Sequence, residues 1–540
     1  MAGYEDPQKP NQTQLGYQGQ GYQQDGYQQP QQVYQQQGYQ QQGYDQGQGY
    51  QQQGGYQQGG YQQVAQNSPG GGYGSAQGEY QQYANQQAPI LVGVPMYPDC
   101  PNDTLKTKFI SQGYKDIWAA VIFIAVVLVT IVWGFVNVGK FKSDFESHEY
   151  SIDGNLTYKL GKYLPGAAFT SLALVCVMLA LMRLFPRVFI VLANLIVVIV
   201  NVAAAIYGFA KVDAGVGIMF VILGLLHALW LYLVRRRIPL AGALLANSVG
   251  VVTKHYGTII TSFLSLVVLA VYGCFFCMMV VPTFQDIDNK NYGNSSQGTN
   301  ITFGQFLLMC LFLLMFFWST QVIMNVVHVT TSGTVATWYF AGPNATPPNP
   351  SIASLKRALT TSFGSICFGS LLVAILKLLH ALAHSAARHR RSFLSCIALC
   401  FVSCLERLME YFNVYAFTHV AIYGSSFVEA AKQTWEMIKN CGITAIINDN
   451  LVFPVLNLVM FIDSLAIGVG FGYAADSWMI GIISFCISAV IHLLVLRTVF
   501  SGVVTLFVCY AENPQIIASS NPQFNQEMLE GVEALKQSAC

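Results

Sequence analysis

The chain has 540 residues, of which 53% are hydrophobic and only 10% charged, and it carries a formal net charge of +1. Soluble domains carry roughly 25% charged residues, so there is too little charge here to cover several soluble surfaces, and a single soluble globular enzyme is excluded. The charge is also unevenly divided: residues 1–100 hold one Lys and six Asp or Glu, while the other 440 hold 26 basic and 20 acidic residues.

The first 90 residues repeat a Gly-Tyr-Gln-Gln theme. Tyr17, Tyr22, Tyr27, Tyr34 and Tyr39 begin a series that recurs every five to seven residues, separated almost only by Gln and Gly. Without aliphatic residues to offset the entropy of ordering, residues 1–100 are expected to form a disordered low-complexity tail. Its alternating polar and aromatic composition favours self-association; the plainer reading is a solvated extension that needs no partner. No charged segment followed by an apolar stretch and a cleavage site marks a signal peptide, so the tail is expected to stay in the cytosol.

A membrane helix needs about 20 mostly apolar residues. Ten stretches qualify, near 117–138, 166–184, 188–210, 214–234, 257–281, 304–328, 360–383, 393–417, 451–473 and 478–500. The expected fold is an all-α polytopic membrane protein with a ten-span domain over 101–512 and a cytosolic C-terminal segment over 513–540. The seventh and eighth spans are the weakest, because they carry Lys377, His380, Glu406, Arg407 and Glu410.

Placing the tail in the cytosol puts fifteen Lys and Arg on the inside against nine outside, which is the favoured loop bias. The same orientation places the sequons at Asn155, Asn294 and Asn300 in outer loops, as glycosylation requires; those at Asn11, Asn102 and Asn344 fall inside and are read as chance. One stretch disagrees: HSAARHRR at 384–391 is strongly basic yet would lie outside. Either the seventh and eighth helices extend beyond the bilayer, or part of 384–417 is a surface helix. His380, His384 and Arg388 are four apart and form one face, either solvated or proton-sensing.

Three inner segments, 238–257, 351–362 and 425–447, mix small, apolar and basic residues as interfacial amphipathic helices do. Each leads into a pair of spans, so the C-terminal 300 residues read as three units of interfacial helix plus hairpin, a kind of internal repeat known in transporters.

No Walker loop, G-x-S-x-G, H-E-x-x-H or dinucleotide fingerprint is present, and the thirteen Cys lack the convergent partners of a zinc site. No enzyme activity, metal, cofactor or nucleic-acid partner is expected. Intramembrane charge is more informative, because it is costly in hydrocarbon and faces a cavity or a partner. In CLERLMEYFNVYAF (404–417), Glu406 and Glu410 share a helix face and are followed by Tyr411 and Tyr415. Acid plus ring faces is what a quaternary ammonium needs, since it has no N–H to donate; the competing reading is an internal ion pair with interfacial aromatic anchors. Asp463, in NLVMFIDSLAIG (457–468), is the most isolated acid and reads either as a cation or proton site or as a carboxyl held by Ser464. Trp338 and Tyr339 follow the sixth span and read as an inner gate or as part of an aromatic belt.

The runs VVHVTTSGTVATWYF (326–340), LKRALTTSFGSICFGSLLVA (355–374), NVYAFTHVAIYG (413–424) and TWEMIKNCGITAIINDN (434–450) resemble the choline transporter-like family, and in particular its fungal branch, the pH-nine-sensitive proteins. The resemblance runs from about 115 to 515 and leaves the tail outside. It implies a ten-span plasma-membrane protein with cytosolic ends, and choline as the substrate of the animal members. Those animal members carry a large first outer loop, whereas residues 139–163 here number only 25.

Together these features predict a secondary transporter or facilitator for a small organic cation such as choline, working in the lipid bilayer of the plasma membrane. Glu406, Glu410, Tyr411, Tyr415 and Asp463 are the expected cavity residues, with Trp338 and Tyr339 at an inner gate. The rival from another class is a non-transporting membrane scaffold or stress component that acts through its Gln/Tyr tail.

Overall fold

The computed structural model describes residues 113–147, 154–292, 302–389, 393–441 and 444–536. The predicted tail and the sequons at Asn294 and Asn300 lie outside the described residues.

Every regular element among the described residues is helical. In chain order these are α1 (Ile117–Val136), α2 (Val138–Ser147), α3 (Gly154–Leu184), α4 (Pro186–Tyr207), α5 (Ala214–Val234), α6 (Ile238–Lys254), α7 (Gly257–Tyr292), α8 (Phe303–Ala341), α9 (Pro350–Leu359), α10 (Phe363–His389), α11 (Phe393–Tyr423), α12 (Phe427–Cys441), α13 (Thr444–Ala474), α14 (Trp478–Glu512), α15 (Pro514–Ser520) and α16 (Pro522–Lys536). Nine helical stretches of the described residues are long and apolar enough to cross a membrane. The tenth expected span, 393–417, falls in α11, a continuous helix of 31 residues in which Glu406, Arg407 and Glu410 lower the apolar character. Helices α10 and α11 pack as a hairpin, and α10 runs on to His389. The described part of the basic stretch, 384–389, is the end of that long helix.

Membrane residence shows in what the outer helices expose. Val121, Leu128 and Val132 of α1, Ile199 and Val200 of α4, and Leu225, Leu229 and Leu233 of α5 are all exposed. Apolar patches of this extent would drive a protein out of water and are at home in lipid, where a helix satisfies its own backbone.

The core is displaced toward one end of the bundle. Helix α8 has 39 residues and α14 has 35, about 58 and 52 Å at 1.5 Å per residue, against a hydrocarbon thickness of about 30 Å. Hydropathy places the end of the sixth span at 328, where the polar run HVTTSGT begins, yet α8 continues to Ala341. Thr330, Thr331, Thr334 and Thr337 each donate their hydroxyl to the carbonyl four residues back at 2.6–2.9 Å, so the helix satisfies its own polar side chains. Thr498, Ser501 and Thr505 do the same in α14. The extended halves of α8 and α14 then pack with α6 and α16 around Val335, Tyr339, Leu244, Phe507 and Phe524.

The three lead-in segments are helices α6, α9 and α12, preceding the pairs α7/α8, α10/α11 and α13/α14. Helix α9 buries Pro350, Ser351, Ser354 and Ala358 on one side, and α12 buries Phe427, Ala430, Thr434 and Met437. Helix α6 differs from the expected surface helix: eleven of its seventeen residues are buried, because α3, α14 and α16 cover it. Residues 514–536 form α15 and α16, with Ile517, Phe524, Met528 and Val532 buried.

Candidate functional site

Helices α10 and α11 run antiparallel and bring four ionisable side chains together. Lys377 Nζ lies 2.5 Å from Glu410 Oε1 and 3.3 Å from Glu406 Oε1. His380 Nδ1 lies 2.6 Å from the other oxygen of Glu406, and its Nε2 is 3.2 Å from Ser403 Oγ. Lys377 is 14 residues from the start of α10 and Glu410 is 13 from the end of α11, each about 20 Å along its axis, so the cluster sits near the middle of both helices. The spacing on each helix makes it: Lys377 and His380 are three apart, Glu406 and Glu410 four apart, and such pairs share a face.

The two carboxylates are not equivalent. The Glu406 side chain is 13% exposed and is held by both Lys377 and His380, whereas that of Glu410 is 43% exposed and is held by Lys377 alone. Glu410 also feels the positive charge of Arg497 on α14. Two carboxylates face the Lys377 ammonium, and Arg497 approaches from a third helix, α14.

Tyr411 and Tyr415 lie four apart on a different face of α11 from the two carboxylates, with ring centroids 5.1 Å apart. Tyr415 is fully buried and meets Phe507 of α14 edge-on. Next to them is a polar hub: His328 Nε2 is 2.9 Å from the Val414 carbonyl, and Nδ1 is 2.8 Å from Ser501 Oγ. One buried imidazole thereby joins α8, α11 and α14.

Asp463 belongs to a different helix pair. Its Oδ2 lies 3.3 Å from His492 Nε2, between α13 and α14, and both side chains are buried. His492 Nδ1 is 2.9 Å from the Ser488 carbonyl. Trp338 and Tyr339 lie elsewhere again, in the last turn of α8. The Tyr339 hydroxyl donates to the Asn513 carbonyl at 2.9 Å, and Asn513 is 16 residues, about 24 Å, beyond Arg497. Beside it, the Tyr423 hydroxyl donates to Glu512 Oε2 at 2.5 Å and His419 Nδ1 is 3.5 Å from Glu512 Oε1. The ends of α8, α11 and α14 are tied together there.

The structure therefore brings Glu406 and Glu410 together against α10, pairs Tyr411 with Tyr415 on another face of α11, and leaves Asp463 and the Trp338–Tyr339 pair in two other places. A cavity of about 320 Å³ lies beside Trp338, and an open apolar one of about 490 Å³ lies on the outer side of α1. Neither borders Glu406, Glu410 or Asp463. Sequence reasoning missed the His328 hub and counted Arg497 among the loop charges. The signal for both was the density of Ser and Thr around them, which marks helix rather than loop once back-bonding is considered.

A family model described as a plasma-membrane choline transporter matches residues 218–515, from α5 to the start of α15. The chain belongs to the choline transporter-like family. A CTL-like protein of Dictyostelium discoideum is 30% identical over 437 residues, covering 78% of this chain and 76% of its own. Protein PNS1 of Mycosarcoma maydis is 31% identical over 374 residues, covering 65% and 70%, and PNS1 of Eremothecium gossypii is 33% identical over 379 residues, covering 64% and 67%. The choline transporter-like match spans all three helix-plus-hairpin units and with them the α10/α11 cluster, the His328 hub and the Asp463–His492 pair.

Proposed function

We propose that this multi-pass membrane protein is a secondary transporter or facilitator that moves a small organic cation, choline foremost, across the plasma membrane, with both chain ends in the cytosol. The observation that supports the reading is the cluster of Lys377, Glu406, Glu410 and His380 midway along α10 and α11, with Tyr411 and Tyr415 on an adjoining face of α11. Charge within a membrane is costly unless paired or functional, and here one lysine serves two carboxylates. An arriving cation takes the half-exposed Glu410 while Lys377 stays with Glu406, so no charge is stranded at any step. The tyrosine rings supply the surface that a quaternary ammonium prefers. Asp463 then acts at a separate position, and Trp338 and Tyr339 belong to the closed inner end. Membrane potential suffices as a driving force: 100 mV is worth about 2.3 kcal/mol per charge, or about 50-fold accumulation.

The expected result for Glu410→Gln is at least a tenfold loss of labelled choline uptake at unchanged surface abundance; unchanged uptake would count against the site. The rival reading, a scaffold acting through its Gln/Tyr tail, is favoured by one observation, that every candidate carboxylate has a protein partner. It predicts that deletion of residues 1–100, not Glu410→Gln, abolishes function.

A further inference from the structure

The 320 Å³ cavity has no part in the transport reading. It lies where α3 and α8 end, walled by α6 and closed over by α16, and its volume is within the range of small-molecule sites. Its chemistry is the opposite of the α10/α11 cluster. The Arg183 guanidinium lies against α6 at Gly250, where a Cβ would already be in contact with its Cζ at 3.8 Å. Asn247 and Lys254 are three residues before and four after Gly250, hence on the same face of α6 and one turn to either side of that guanidinium. Lys254 Nζ donates to the Pro343 carbonyl at 3.1 Å, which fixes the ammonium without neutralising it. Neither Arg183 nor Lys254 makes an ion pair with a described residue. The carboxylate in the wall, Glu527, accepts from Asn247 Nδ2 at 3.0 Å. The rest of the wall combines the amides of Asn521 and Gln523 with apolar residues, among them the buried rings of Trp338 and Phe524.

A fork-shaped guanidinium and an ammonium converging on one space, with polar amides and two buried rings in the wall, suit a tetrahedral oxyanion bearing an organic group. We propose that this cavity binds a phosphate ester, its phosphate between Arg183 and Lys254 and its organic part against Trp338 and Phe524. The last turn of a membrane span places Arg183 at headgroup level, so the ester is either a lipid headgroup entering from the adjacent leaflet or a soluble phosphate monoester. A ligand there joins α3 and α6 to the C-terminal helix α16.

The test uses the full-length protein in phosphate-free maltoside micelles, titrated with labelled glycerol 3-phosphate, and in nanodiscs with and without phosphatidic acid, followed by the midpoint of thermal unfolding. Saturable binding or stabilisation by either probe is expected, undiminished by excess choline. Arg183→Gln and Lys254→Gln should each weaken it at least about tenfold, the loss of one charge-assisted hydrogen bond. Arg187→Gln, which removes a neighbouring cation outside the cavity that pairs with Glu530 at 2.8 Å, should leave it unchanged. Binding of glycerol 3-phosphate assigns a soluble ligand; stabilisation by phosphatidic acid alone assigns the headgroup. An equal loss in Arg187→Gln, displacement by choline, or no saturable effect of either probe overturns the proposal. Should a glutamine variant not fold, the wild-type titrations decide it by themselves. Because an anionic probe has no affinity for an acidic cation site, this outcome is independent of whether choline is transported.

Discussion

Lys377 serves two carboxylates, and the difference between those two is where residue-level chemistry separates stability from function. Glu406 is enclosed and holds both Lys377 and His380; its removal leaves an ammonium and an imidazole less compensated within the bilayer. Glu406→Gln should therefore cost on the order of 3 kcal/mol, the scale for breaking a buried pair, seen as a lower unfolding midpoint in detergent. Glu410→Gln leaves Lys377 with Glu406 and takes one compensating charge from Arg497; because Glu410 is half exposed, it should cost less than Glu406→Gln while removing uptake. A larger stability loss for Glu410→Gln than for Glu406→Gln would contradict this assignment of roles. The two pairs of 404–417 were legible from the letters, because helical spacing alone puts Glu406 with Glu410 and Tyr411 with Tyr415. Their partners were not, since nothing local in α11 says that α10 will present Lys377 and His380 at matching heights.

Elements meet where side chains are absent or minimal. Gly364, in the first turn of α10, faces the backbone carbonyls of Lys115 and Asp116, and a Cβ there would overlap both. The same Asp116 accepts from Ser365 Oγ at 2.7 Å and from the Phe427 amide at 2.8 Å, so one carboxylate gathers the starts of α1, α10 and α12. Backbone atoms cannot move aside as a side-chain tip can, so Gly364→Ala should destabilise by about 1–3 kcal/mol, read from thermal unfolding; Gly273→Ala, which meets nothing within 4 Å, is the neutral control. At the opposite ends of α11 and α14, Tyr423→Phe removes the hydroxyl that donates to Glu512. Loosening that tie should raise the labelling rate of a cysteine placed at Thr418, which is fully buried in this state; an unchanged rate would show that the three helix ends do not open. The order of the long apolar helices followed from hydropathy. Helix ends did not, because a transfer scale scores the hydroxyls of Thr330 to Thr337 as polar whereas the helix satisfies them internally. For the same reason α6, which reads as an interfacial helix, is a core element: burial is decided by α14 and α16, far away in sequence.

On the scale of the whole molecule, length, low charge and apolar runs are enough for a multi-pass helical membrane protein, and four short motifs are enough for the family. Orientation remains a prediction and is open to a direct check. Asn155 is in the first turn of α3 and Arg183 in its last, about 42 Å apart along the axis, so one faces the lumen of the secretory pathway if the other faces the cytosol. Digestion with an N-glycosidase should shift the mobility of the wild-type protein, and Asn155→Gln should reduce that shift; an unglycosylated protein would remove this support for the orientation. The account as a whole rests on a passing cation replacing Lys377 at Glu410. Its most direct test is flux of labelled choline into liposomes containing the purified protein, under an imposed inside-negative potential. The account predicts saturable, voltage-dependent accumulation that competing quaternary amines inhibit and Glu410→Gln abolishes. Accumulation no greater than in protein-free liposomes, for choline and for every competing amine, would contradict it.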